Sequence, residues 1–217
     1  MPTRTVSLID LLAHELRTPV TVAIGSLRQL GGLADPVQQA AVARALRSCE
    51  RLERLAAEMR DWTRLEGSPP DPGAVALAGV LTEAVTSVSA TCAGKLDLVV
   101  GDVPHVMVQA VPHLLPGALA SLLAAVIRAA EDGEAIAVES GVAGDAAMIV
   151  ARRSGAPRVG RAETFDAEYL GGLGFSMPLA RAVIAAGGGS VTSTQSTDGR
   201  LEAVSVRLAV ARPSPAR

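Results

Sequence analysis

The sequence predicts an α+β protein: an N-terminal antiparallel helical hairpin followed by an α/β sandwich. Three observations carry this. Apolar residues recur every three or four positions over residues 6–30 and again over 37–66, the spacing that puts one stripe on a helix. Gly67-Ser68-Pro69-Pro70-Asp71-Pro72-Gly73 then holds three prolines and two glycines in seven residues, a composition that interrupts regular structure. Beyond it, short helical and strand patterns are interspersed to the end of the chain. The expected organisation is a hairpin over 1–67, a linker over 68–74, a sandwich over 75–212 and a frayed tail over 213–217.

The first helix carries Ile9, Leu12, Ala13, Leu16, Val20, Ala23, Ile24, Leu27 and Leu30 on one stripe. Gly31 and Gly32 end it, and Asp35-Pro36 begins the next helix, with Asp as the cap and Pro in the first turn. In the second helix Val42, Leu46, Cys49, Leu52, Ala56, Met59 and Thr63 trace a seam near the heptad period. Its outer face mixes Arg44, Arg47, Glu50, Arg51, Glu53, Arg54, Glu58 and Arg60 in pairs three or four apart. Two helices alone bury little surface, so the hairpin is expected to join a second copy in a four-helix dimer. Trp62 and Met59 read as packing residues.

After the linker, helices are expected over Val80–Thr91, Leu114–Ala130 and Met177–Ala186. Strands are expected over Leu96–Val100, Val106–Val108, Ala135–Ser140, Ala147–Ala151, Ser190–Ser196 and Glu202–Val210, with a hairpin turn at Gly141–Asp145. Helices would then lie on one face of a mixed sheet.

Composition narrows the function. The net charge is −2 and aromatic residues are 2% of the chain. There is no basic stripe for phosphates and no aromatic platform for bases, so nucleic acid is excluded as a partner. The longest apolar run, Ala118–Ile127, contains Ser121 and is too short to cross a bilayer. Cys49 and Cys92 lie far apart without metal-site spacing, and the start MPTRTVSLID has no sustained apolar stretch; a cytoplasmic setting is the expectation. His105 and His113 have no carboxylate or cysteine at ligand spacing and read as ordinary polar positions, and no metal site is expected.

The most informative stretch is His14-Glu15-Leu16-Arg17-Thr18-Pro19. His14 sits beside the apolar stripe, where its ring reaches solvent, and a neutral imidazole nitrogen is a competent nucleophile toward a phosphoryl group. Glu15 follows it and can take the proton from the other ring nitrogen as general base. Thr18 lies one helical turn on, where its hydroxyl can position a water for the reverse, hydrolytic reaction. Pro19 lacks an N–H and crowds the carbonyl of Glu15, which predicts a helix kink there.

HELRTP resembles the H-box of two-component sensor histidine kinases, and it sits in the first helix of a hairpin as in that family. The end of the second helix, Ala57–Glu66, is similar to the family's as well. The resemblance implies that residues 75–212 are an ATP-binding domain. Gly171-Gly172-Leu173-Gly174-Phe175-Ser176, the helix after it and Gly187-Gly188-Gly189 resemble the glycine-rich G2 box and the glycines that open the next strand. Glycines there let backbone amides approach phosphates at a helix N-terminus. Thr164-Phe165-Asp166 looks like a remnant of the ATP lid.

Other positions depart from the family. Ser121 and Ala125 stand where the resemblance implies magnesium-binding asparagines, and Ala125 offers no oxygen to a hard cation. Arg128 alone keeps the basic residue expected on that helix. In Val150-Ala151-Arg152-Arg153-Ser154-Gly155-Ala156-Pro157 an arginine replaces the aspartate that would accept the adenine amino proton, and arginine is only a donor. Ser176 replaces the third glycine of the G2 pattern. The nucleotide site thus reduces to Gly172, Gly174, Ser176 and Arg128, a degraded set that weakens ATP and magnesium binding.

The leading reading is a histidine phosphotransferase or pseudokinase-like protein that exchanges a phosphoryl group between His14 and a response-regulator aspartate. A second is an active kinase that autophosphorylates His14 from ATP. A third is a non-catalytic dimer that sequesters a response regulator or kinase. The expected partners are a second copy, a receiver domain, and an upstream kinase or sensor, since 217 residues leave no length for a sensor of its own.

Overall fold

The computed structural model describes residues 19, 21–23, 25–26, 36–67, 71–92, 96–155, 176–197 and 199–211. The chain forms two compact units, Met1–Thr63 with Gly174–Ser176, and Arg64–Leu173 with Met177–Arg217.

In the first unit, Pro19, residues 21–23 and residues 25–26 are helical. Helix α1 spans Pro36–Gly67, 32 residues opened by the expected proline and closed by the expected glycine. Its buried positions recur every seven residues, at Ala41, Ser48 and Leu55. Two residues of the predicted seam, Val42 and Cys49, lie one position from this stripe. Val42 is 41% exposed and Cys49 is exposed, so α1 has a second apolar stripe beside the buried one.

The second unit is mixed. Strand β1 spans Gly73–Ala76, helix α2 Leu77–Cys92, strand β2 Asp97–Val100 and strand β3 Met107–Ala110. Helix α3 spans Leu115–Ala129, strand β4 Ala135–Ala143 and strand β5 Ala146–Arg153. Helix α4 spans Ser176–Ala186, strand β6 Ser190–Gln195 and strand β7 Leu201–Ala209. Strand β1 was not expected. It opens at Gly73, inside the predicted linker, because Gly73–Ala76 pairs antiparallel with Ala110–Met107. Four small residues carry too short an alternation to signal a strand on their own. The expected turn at Gly141–Asp145 shrinks to Gly144 and Asp145, since Ala143 still faces Ala146 in the ladder and Gly144 takes the positive φ of 62°.

Five strands make one sheet in the order β2-β4-β5-β7-β6, parallel only between β2 and β4. Alternation along each strand decides which side is covered. Ile136 and Val138 on β4, Ala147, Ile149 and Ala151 on β5, and Val204, Val206 and Leu208 on β7 are all buried. They align across the ladder, Val138 opposite Ala151 and Ala151 opposite Val204, Ile149 opposite Val206. Helix α3 packs on β5 and β7 and against α2. It buries Leu115, Ala118, Leu119, Leu122, Leu123, Ala125, Val126 and Ile127, and has proline in its first turn and Arg128 in its last. The opposite face of the sheet carries Met148, Val150 and Arg152, all half-buried.

The glycine triplet after α4 is a helix stop with two tight approaches. Gly188 has φ of 75°, the Gly188 N–H donates to Ala185 and the Gly189 N–H to Ile184, a Schellman closure. A methyl group on Gly189 would lie 2.5 Å from the Arg207 carbonyl oxygen, and one on Gly187 2.7 Å from that of Gln109. Gly189→Ala is therefore expected to lower stability by about 1–3 kcal/mol. Gly117→Ala, where an added methyl meets nothing within 4 Å, is expected to raise it by about 0.5–1 kcal/mol. Urea unfolding of both variants checks the contrast.

Candidate functional site

Pro19 is buried within helical backbone, and Ser26, seven residues on, is buried too. Thr21 and Val22 between them are exposed, so these described helical residues have one covered edge and one open side. His14, Glu15 and Thr18 lie outside the described residues, as do the kink expected at Pro19 and Gly172 and Gly174.

In the second unit the structure places Arg128 exposed in the last turn of α3 and Ser176 at the first position of α4. Neither of the implied asparagine positions is built as a ligand. The Ser121 hydroxyl donates to the Gly117 carbonyl oxygen at 2.9 Å, which satisfies it within its own helix. Ala125 is fully buried. Among the described residues, no group of three His, Cys, Asp or Glu side chains could hold a metal ion.

The two arginines at the end of β5 point to opposite faces of the sheet. Arg152, on the open face, donates to Glu139 Oε1 at 2.8 Å. Arg153 follows Ile149 and Ala151 on the helix-covered face and stands opposite the buried Ile136 in the ladder. Its Nε and Nη2 each reach one oxygen of Glu134 at 2.9 Å, a two-pronged contact that suits the planar guanidinium. Glu134 Oε2 also accepts the Glu131 N–H at 2.7 Å, and Glu131 pairs with Arg200 from the β6–β7 turn. The Arg153 fork, aided by the Glu131 N–H, holds the Glu134 carboxyl below the usual carboxylate range. Glu134 in turn raises Arg153 above the ordinary guanidinium value.

Comparison with known proteins places this geometry. Residues 7–68 match the His Kinase A (phospho-acceptor) domain family. The solved histidine kinase AdeS of Acinetobacter baumannii is 18% identical, with a TM-score of 0.70 over 92% of this chain and 98% of that one. Residues 7–68 are thus similar to a histidine kinase phosphoacceptor domain, and the chain shares the fold of solved histidine kinases. Histidine kinase ThkA, crystallised with the response regulator TrrA, is 17% identical with a TM-score of 0.61, over 90% of this chain and 59% of that one. Full-length ShkA with AMPPNP is 19% identical with a TM-score of 0.58, over 96% of this chain and 47% of that one. No curated protein matches the chain.

Arg152 and Arg153 are the arginines that stand in the segment where the resemblance implies an aspartate. The structure gives both a carboxylate partner. Glu134 went unnamed because it lies in a turn, 19 residues from Arg153. The available signal was parity: Glu134, Ile136 and Val138 alternate onto one face, as do Ile149, Ala151 and Arg153. No described helix is long and apolar enough to cross a membrane.

The depressed carboxyl at Glu134 has a pH signature. The folded chain binds that proton less tightly than the unfolded one, so the pair's contribution is complete at neutral pH. It fades as acid carries the solution down through the folded-state value. Glu134→Gln is expected to cost about 1 kcal/mol at pH 7, given a pair near the surface. The difference from the parent should shrink below about pH 4. Urea titrations of both proteins at a series of pH values test this.

Proposed function

We propose that this chain is a member of the two-component histidine kinase family that carries a phosphoryl group on His14 and exchanges it with a response-regulator aspartate, while its ATP site is degraded. The observation that carries the reading is a contrast within one chain. The histidine motif is intact inside the segment that matches a phosphoacceptor domain, whereas Ala125 and Arg153 are an alanine sealed in the core and an arginine committed to Glu134. The crystallisation of the similar ThkA with a response regulator supports a receiver domain as partner. The exposed Val42 and Cys49, seven residues apart on α1, support a second copy as the other partner through a four-helix bundle.

The chemistry follows from the residue types. An imidazole nitrogen of His14 attacks the phosphorus of an acyl phosphate. The N–P bond forms as the P–O bond to the aspartate breaks, the aspartate leaves as a carboxylate, and Glu15 takes the ring proton. Run backwards, the same steps phosphorylate the regulator. Thr18 positions a water that attacks the phosphorus of the regulator's aspartyl phosphate, releasing inorganic phosphate and the carboxylate, and Pro19 kinks the helix beside the histidine. ATP with magnesium, where bound, would meet Gly172, Gly174, Ser176 and Arg128 and would supply a γ-phosphoryl group. The AMPPNP complex of the similar ShkA favours this as the second reading.

Labelling separates the readings. Acid-labile phosphate is expected on the full chain when a phosphorylated receiver domain is supplied, and not with Mg-ATP alone. It should disappear in His14→Ala. Rapid labelling by Mg-ATP would establish the active kinase instead, and binding of a receiver without labelling by either route would leave sequestration.

A further inference from the structure

Strand β2 ends the five-stranded sheet. Among the described residues no strand lies on its other side. The Gly101 N–H donates to the Val138 carbonyl at 2.9 Å, so Val99 and Gly101 turn their backbone groups toward β4. Leu98 and Val100, the alternate residues, turn theirs to the outer edge. Their side chains stand level with the buried Ile136 and Val138 on the helix-covered face, while Asp97 and Val99 stand level with Ala135 and Ala137 on the open face. Val99 is 57% and Val100 40% exposed, so this edge shows apolar surface on both faces. Natural edges are blunted by shortness, lysine, proline or a bulge. Of these Asp97–Val100 has only its shortness.

We propose that this edge is a self-association surface, where β2 pairs antiparallel with β2 of a second copy about a two-fold axis at Val99. The strand is complementary to itself in that register. Leu98 meets Val100 of the second copy and exchanges both backbone hydrogen bonds with it, since both residues turn their backbone groups outward. Val100 meets Leu98 in the same way. Val99 meets Val99 on the open face at the closer spacing of a non-hydrogen-bonded pair, and such cross-strand apolar pairs stabilise a sheet. Asp97 falls opposite Gly101, so no two charges meet. Centring the pair on Leu98 instead would set Asp97 against Val99, and centring it on Val100 would set Leu98 against Asp102. A strand that joins this edge must be apolar on both faces and carry no acid opposite Val99, and β2 itself meets both conditions. The surface uses residues distinct from the exposed stripe of α1, and it does not depend on the proposed pairing of hairpins. A chain with two different two-fold surfaces assembles beyond a pair. The strand has four residues, so the contact is small and forms as concentration rises.

The test is sedimentation of the full chain over a range of concentrations. The parent's mean mass is expected to rise toward about twice that of its smallest species. Val99→Lys and Val99→Glu each set like charges opposite one another at the two-fold axis, and each should hold the mass at the smallest species. Mixing these two variants sets lysine against glutamate and should restore the rise. Val142→Lys alters a valine that is 47% exposed on β4, outside the pairing, and should behave as the parent does. Thermal unfolding profiles establish that each variant is folded. A parent no heavier than Val99→Lys at any concentration would overturn the inference. So would a mixture no heavier than its two components, or a loss of mass in Val142→Lys as large as that in Val99→Lys. Failure of the hairpin pairing is read separately. It makes the smallest species one chain instead of two, whereas the changes at Val99 are read as ratios to that mass.

Discussion

One-sided burial of the five-stranded sheet governs the second unit. Ile136, Val138, Ile149, Ala151, Val204, Val206 and Leu208 present a surface of modest aliphatic side chains, and α3, itself leucine- and alanine-rich, lies against it. Only one phase of the strand alternation can face the helices. A slip of one residue would send this whole set to the open face and bring Arg152, Met148 and Val150 inside. The register is consequently strongly specified, and it places the residues at the strand ends as well.

The charged cluster at one end of that sheet depends on the register. Arg153 is in phase with the core, so its aliphatic stem follows Ile149 and Ala151 inward and its guanidinium needs a partner at the rim. Glu134 provides it from the turn before β4, where it has the same phase as Ile136. Arg152, out of phase by one, finds Glu139 on the other side. Two adjacent arginines therefore have separate partners on opposite faces of the sheet. Loss of the pair is an electrostatic change more than a loss of core packing, which is why its consequence is a pH-dependent stability.

The phosphoacceptor half obeys a different constraint. Helix α1 buries Ala41, Ser48 and Leu55 and leaves Val42 and Cys49 open. A long helix with two adjacent apolar stripes has more than one surface to satisfy, and a single hairpin covers only part of it. The proposed pairing with a second copy covers the rest.

Much of this was legible in the chain. Helical periodicity located α1, α2, α3 and α4, strand alternation located β2 to β7, and the residues of HELRTP with their hairpin setting pointed to phosphoryl chemistry on His14. These are local signals, carried by residues that are neighbours in sequence or one turn apart. Strand β1 was not legible, because Gly73–Ala76 is a strand only through its pairing with Met107–Ala110. Val42 and Cys49 of the predicted seam are exposed beside the buried Ala41 and Ser48, because periodicity finds apolar positions without saying which of them meets a neighbour. The roles of Arg153 and Glu134 were decided by tertiary structure alone. Their ion pair forms between residues 19 apart, where the β4–β5 register carries a turn carboxylate to a strand-end guanidinium. The sequence by itself determined the helices α1 to α4, the strands β2 to β7 and their order; folding decided β1 and which charges meet, since both depend on strand pairing and register.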